Sequence, residues 1–236
     1  MDHPFNLGEK ELMRAYNFLE KLDNKVYTNY SSSNDMKGSI LLTSDSFSNA
    51  KIKERFMKLI GDPTNKSVAI ITTAAKDKEK NKYAQLTYSQ MKEIGFSEID
   101  FVDFEKGEGK DLSKYNVFYV CGGNTFSLLK FAKEMGFDKS VKKLLERGGV
   151  YVGVSAGSLI MGPSVQIANE IKPDINTVGL SDFSGMRLID HIVFPHYKAG
   201  DETALLDFET RNDVKTFRLS NGEALLIRDN SEEVIN

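Results

Sequence analysis

The 236-residue chain has no tryptophan, five prolines, one cysteine and three histidines. Each scarcity removes a class of protein. The lone Cys121 cannot close an internal disulfide, so a disulfide-stapled scaffold is excluded. His3, His191 and His196 form no His-Glu-x-x-His string and find no paired cysteines, which leaves no zinc-site spacing; neither a metal nor another cofactor is expected. Charge of one sign is also missing: 31 Lys and Arg against 34 Asp and Glu give a net charge of -3. With no basic stripe to neutralise phosphates, nucleic acid is not an expected partner. No apolar run approaches the roughly 20 residues that a membrane-spanning helix needs, and the opening Met1 to Pro4 has neither the basic start nor the apolar run of a signal peptide. The expected address is therefore cytoplasmic, away from membranes. What is present, 40% hydrophobic and 28% charged residues, is the composition of an ordinary globular chain.

Two regions read differently. In residues 1–35, Asn6 and Glu9 have the spacing of a capping box, and Leu12, Tyr16, Leu19 and Leu22 recur at helical spacing before a polar stretch from Tyr30 to Asp35. This predicts a short helical arm and a linker, a packing or dimer contact rather than part of the chemistry. From Met36 to Asn236 short apolar runs alternate with segments of helical period. Strands are predicted at Ser39 to Thr43, Ser67 to Thr73, Ile99 to Phe104, Asn116 to Cys121, Gly149 to Val154, Ile189 to Phe194, Thr216 to Leu219 and Ala224 to Ile227. Helices are predicted at Asn49 to Ile60, Lys78 to Ile94, Thr125 to Arg147 with a break at Gly136, and around Glu202 to Arg211. Runs such as Val68 to Ile71 and Val117 to Val120 are apolar on both faces, as strands are when helices cover both sides of a sheet. The expected fold is α/β, a mostly parallel sheet with helices on both faces, whose functional loops gather at the carboxyl ends of the strands. The loops after Thr73, Cys121 and Val154 are thus the ones to read.

The sharpest of them is Gly153-Val154-Ser155-Ala156-Gly157. It follows an apolar strand and precedes small and apolar residues able to open a helix, the context of a nucleophile elbow. Glycines flanking the serine allow the sharp turn that lifts its hydroxyl to the top of the sheet. The structural alternative is a serine that caps the next helix. A serine hydroxyl needs a base, and three histidines make the search short. His196 stands at the carboxyl end of the run from Ile192 to Pro195, the edge where Ser155 is expected, and His191 stands at the opposite end. Cys121-Gly122-Gly123-Asn124 can flank the elbow on a neighbouring strand, with the N–H groups of Gly123 and Ala156 forming an oxyanion hole. Its alternative reading is a turn in which Asn124 caps a helix. Cys121 reads as a buried small residue. No GxGxxG and no phosphate-binding glycine loop ending in Lys-Ser or Lys-Thr occurs.

Cys121-Gly-Gly-Asn-Thr-Phe126, Gly153-Val-Ser-Ala-Gly157 and Phe194-Pro-His-Tyr197, in this order and spacing, resemble the serine peptidase family of aspartyl dipeptidase (peptidase E) and cyanophycinase, over roughly Met36 to Asn236. The resemblance implies a fold similar to class I glutamine amidotransferase domains and hydrolysis of peptide bonds in small peptide substrates, with a homodimer possible. It also implies Ser155 as nucleophile, His196 as base, Gly122, Gly123 and Ala156 as oxyanion hole, and Asn124 as a substrate-orienting residue. An acidic residue some 15 positions past the serine in the family matches Glu170. Two departures stand out. Where the aspartyl dipeptidase branch orients its histidine with a glutamate in a Gly-x-Pro-Glu-Gly-like turn, this chain has Asn221, with Glu223 and Glu170 as substitutes. Where that branch has Gly-Glu-Thr-Arg, this chain reads Asp201 to Ala204, so an aspartate-binding cation is missing from that place; Lys198, Arg187 and Arg211 are the cations that could replace it, and a solvated surface role is the reading favoured for each. The function expected is a serine hydrolase acting on short peptides through an acyl-enzyme, a dipeptidase among the options. The competing readings are an esterase of the α/β-hydrolase type, which shares G-x-S-x-G but places its acid between serine and histidine, and an inactive binding module on the same fold.

Overall fold

A computed structural model of the chain describes residues 37–236. The expected arm and linker, and His3 with them, lie outside the described residues. Five strands, β1 (Ser39–Thr43), β2 (Ser67–Ile71), β3 (Glu98–Val102), β4 (Val117–Val120) and β5 (Val150–Val154), form a parallel array in the order β3-β2-β4-β5-β1. The sheet continues antiparallel through β8 (Ala224–Arg228) and β9 (Ser231–Ile235). The remaining strands, β6 (Ile192–Pro195) and β7 (Thr216–Leu219), pair with each other in a separate two-stranded parallel sheet.

Both-sided burial follows directly from the apolar runs, because alternate side chains of one strand enter different cores. Leu41, Val68, Ile70, Val117, Tyr119 and Val152 face helix α1 (Ala50–Ile60) and helix α2 (Lys82–Ile94) through Ile52, Phe56, Ala84 and Met91. Ile40, Leu42, Ala69, Ile71, Phe118, Val120 and Tyr151 face the other way, against helix α3 (Thr125–Glu134), helix α4 (Phe137–Glu146) and the β6–β7 sheet. Asn49, Asn81 and Asn124 each cap a following helix by accepting a backbone N–H, which explains where α1, α2 and α3 begin. Gly136, at φ 63°, separates α3 from α4 at the predicted break.

Two short helices follow the elbow, α5 (Ala156–Leu159) and α6 (Ile167–Glu170), and α7 (Glu202–Asn212) connects β6 to β7. Two features of this half depart from the sequence reading. The runs at Ile189 to Phe194 and Thr216 to Leu219 do form strands but leave the main sheet for their own. Strand β9 has no counterpart in the reading because Ser231 to Val234 are exposed and only Ile235 is buried. A charged, one-sided edge strand carries no apolar run, and its charges discourage pairing with another chain.

Candidate active site

The strand registers alone bring three loops together. Val120 pairs with Gly153 and Thr43 pairs with Val154, so continuing those rungs sets Gly122 on one side of Ser155 and Ser44 on the other. Ser155 adopts φ 51° and ψ -107°, a strained conformation for a residue with a side chain, and its N–H donates to Thr43 O at 2.9 Å. The elbow is locked from beneath. Ser158, fully buried, accepts from Thr43 N–H at 3.0 Å, and its Oγ lies within donating distance of Thr43 O (2.8 Å) and Gly153 O (2.9 Å). Tyr151, also fully buried, donates its hydroxyl to Gly157 O at 2.7 Å. A Cβ on Gly157 would come within 2.6 Å of Val120 O, so the close approach of the elbow to β4 requires glycine there.

On the β4 side, Gly122 is tight against the serine: a Cβ there would lie 3.0 Å from Ser155 Cβ. Gly123 has φ 140°, and a Cβ would overlap Ala74 O at 2.0 Å, so no other residue fits without moving the backbone. Ala156 is the first residue of α5, where a helix N–H has no intrahelical acceptor. Asn124 is committed to structure: Oδ1 accepts from Ser127 N–H (2.9 Å) and Nδ2 donates to Ile175 O (2.8 Å). Cys121 is buried, and desolvation pushes its thiol up to about 12, which removes the thiolate a nucleophile would need.

The two-stranded sheet delivers the candidate base, His196. Pro195 pairs with Leu219, so the residues beyond β6 and β7 emerge side by side. His196 Nε2 lies 3.0 Å from Ser155 Oγ, and His196 Nδ1 lies 2.7 Å from Asn221 Oδ1. An amide oxygen only accepts, so Nδ1 carries the ring proton, and Nε2 presents its lone pair to the serine hydroxyl. This is the arrangement that proton abstraction requires, with a neutral amide in the place that a carboxylate fills in the Ser-His-Asp pattern.

The other acidic candidates point elsewhere. Glu223 Oε2 accepts from Ser220 N–H at 2.8 Å and so shapes the turn that carries Asn221. Glu170 accepts from Gln166 Nε2 (2.7 Å) and from Arg211 Nη2 (2.9 Å); the Gln166 bond above all, then Arg211, holds its carboxyl below the usual range. Arg211 is thereby occupied, by Glu170 and by Asp207 at 2.8 Å. His191 lies at the far end of β6, buried, 3.7 Å from Glu232 Oε1. Among the described residues, no three His, Cys, Asp or Glu side chains gather as a metal site would need, and no helix is long and apolar enough to cross a membrane.

The sequence reading passed over the loop after β1. Asp45 Oδ1 accepts from Gly222 N–H (3.0 Å) and Asn49 Nδ2 donates to Gly222 O (3.0 Å), so this loop fastens the Asn221 turn to the main sheet. The signal was available: Thr43-Ser44-Asp45 ends a central strand, where sites in such folds collect.

Fold and geometry together define a hydrolytic α/β enzyme with its serine on an elbow. The sequence model of peptidase family S51 matches residues 40–235, and the chain belongs to that family, whose members are serine-type peptidases. It is 30% identical over 176 residues to an uncharacterized peptidase, Lmo0363, of Listeria monocytogenes, covering 72% of this chain and 85% of that protein. It is 25% identical over 171 residues to Peptidase E of Haemophilus influenzae, covering 70% and 75%. A crystal structure of a Listeria monocytogenes protein, provisionally called Peptidase E, superposes with a TM-score of 0.68 at 25% identity, over 84% of this chain and 98% of that one.

Proposed function

We propose that this serine peptidase cleaves short peptides by Ser-His catalysis through an acyl-enzyme. The observation that carries the reading is the continuous line of two hydrogen bonds from Ser155 through His196 to Asn221. Ser155 Oγ attacks the scissile carbonyl while its proton passes to His196 Nε2. The N–H groups of Gly123 and Ala156, with Gly122 against the serine, stabilise the charge that develops on the carbonyl oxygen. The C–N bond then breaks, with Nε2–H protonating the leaving amine, and water attacks the ester with His196 again as base. Asn221 holds the ring in the tautomer this needs but contributes no charge to the imidazolium. Glu170, held by Gln166 and Arg211, ties α6 to α7 rather than serving the reacting atoms. Substrate preference moves away from aspartate, since Ala204 stands where the aspartyl dipeptidase branch has arginine and Arg211 is already engaged.

A dipeptide panel assayed with the wild type and Ser155→Ala tests this. The expected result is turnover by the wild type and a loss of at least ~1,000-fold in kcat for the variant. Equal rates from both proteins would remove Ser155 from the mechanism. Strong activity on p-nitrophenyl esters with none on dipeptides would make the enzyme an esterase.

A further inference from the structure

His196 is one of ten non-glycine residues with positive φ among the described residues, at 57°. For a residue with a side chain this conformation is strained and persists only where the surroundings enforce it. Here both backbone polar groups of His196 are held by remote side chains. Its N–H donates to Ser44 Oγ at 3.0 Å, and its carbonyl accepts from Lys172 Nζ at 2.8 Å. Ser44 is 1% exposed, and its hydroxyl donates to Leu219 O at 2.7 Å, two residues before Asn221. One hydroxyl thus ties together the backbone under the base and the strand under its amide partner, at a rung that the register places beside Ser155. Lys172 is itself fixed, paired with Asp201 and lying 5.1 Å over the ring of Phe194.

We propose that Ser44 and Lys172 are positioning residues that hold His196 in its left-handed conformation and so aim Nε2 at Ser155. The inference rests on the reading of Ser155 and His196 given above. Neither side chain touches the reacting atoms; releasing either lets the backbone relax and swings the imidazole away, and a displacement of about 1 Å at such a site costs on the order of 100-fold in rate.

The test measures covalent labelling by a rhodamine-linked fluorophosphonate, which needs the Ser155–His196 pair but no knowledge of the peptide substrate. Rates are taken per folded molecule, well below each protein's thermal midpoint, and separated into kinact and KI. Ser44→Ala and Lys172→Met are expected to lower kinact by roughly 10- to 100-fold with KI unchanged, and Lys172→Arg, which keeps a donor to His196 O, recovers most of the rate. A merely structural role would lower the thermal midpoint and leave kinact per folded molecule alone. Wild-type kinact in folded Ser44→Ala overturns the proposal; should Ser44→Ala not fold, wild-type kinact in Lys172→Met overturns it. Ser155→Ala is the control that separates the two levels, because labelling of that variant at the wild-type rate would sink the underlying assignment instead.

Discussion

Ser155 and His196, the candidate nucleophile and base, sit on two sheets built by different means. Ser155 follows β5, flanked by β4 and β1, and the ties on its backbone and turn are local to that array: Thr43 O on its N–H, Ser158 and Tyr151 beneath the turn. His196 and Asn221 follow two strands that, among the described residues, pair only with each other, held in place by side chains from Ser44, Asp45, Asn49 and Lys172. The large sheet makes its half of the site from backbone register and close packing. The small sheet makes its half from long-range side-chain hydrogen bonds. A change on the first should therefore act through fold and steric fit, and a change on the second through aim.

The largest effect is expected from Gly123→Ala, which forces a methyl into Ala74 O and displaces the loop beside the serine. The loss should be about 100- to 1,000-fold in kcat, as for removal of an oxyanion donor, with a lowered thermal midpoint; near-normal kcat would show that this loop does not serve the oxyanion. Next comes Asn221→Ala, on the small sheet, which unfixes the ring tautomer without touching the main sheet. Roughly 10- to 100-fold is expected in kcat with stability nearly unchanged, and Asn221→Asp should recover activity while moving the acid limb of the kcat profile to higher pH, because a carboxylate favours the imidazolium. An unaltered profile would argue that this position does not contact the base.

Tyr151→Phe sharpens the contrast from the other side. It leaves Gly157 O without its donor in a fully buried place, costing about 1–3 kcal/mol in unfolding free energy, measured by urea titration. A loss confined to kcat would contradict the division drawn between the sheets. The smallest effect concerns acid stability. Burial holds His191 below its ordinary pKa, outweighing the opposing pull of Glu232 and Asp190. The unfolded chain then takes up the proton first, so the contribution of neutral His191 is present above about pH 6.5 and is lost as pH falls below that value, with a slope of at most about 1.4 kcal/mol per pH unit. Replacing His191 by Phe, beside Phe217 at 5.6 Å, should flatten the thermal midpoint between pH 7 and 5; an unchanged slope would assign the acid sensitivity elsewhere.

The same division explains what could be read from the sequence. Apolar runs such as Val68 to Ile71 announce buried strands because their burial is two-sided, and the glycines around Ser155 and Gly123 are local requirements of backbone shape. Those features survive in any short window of sequence. Ser44 and Lys172 do not: the first lies 152 positions from the histidine it holds, and a buried serine or an exposed lysine has no distinctive pattern. Nor could periodicity tell that β6 and β7 leave the main sheet, since a strand buried in either sheet is equally apolar. The role of Asn124 was ambiguous for the opposite reason, as one residue type serves both capping and substrate contact, and only the bonds to Ser127 and Ile175 show where its amide goes.

The central claim is that the hydroxyl on the elbow is activated by the ring 3.0 Å away. Intact-mass spectrometry after fluorophosphonate treatment, followed by peptide mapping of the wild type and His196→Ala, addresses it directly. A single adduct on Ser155 in the wild type, formed at least ~100-fold more slowly in His196→Ala, is the predicted result. Equal labelling of both proteins, or an adduct at any other serine, would contradict it.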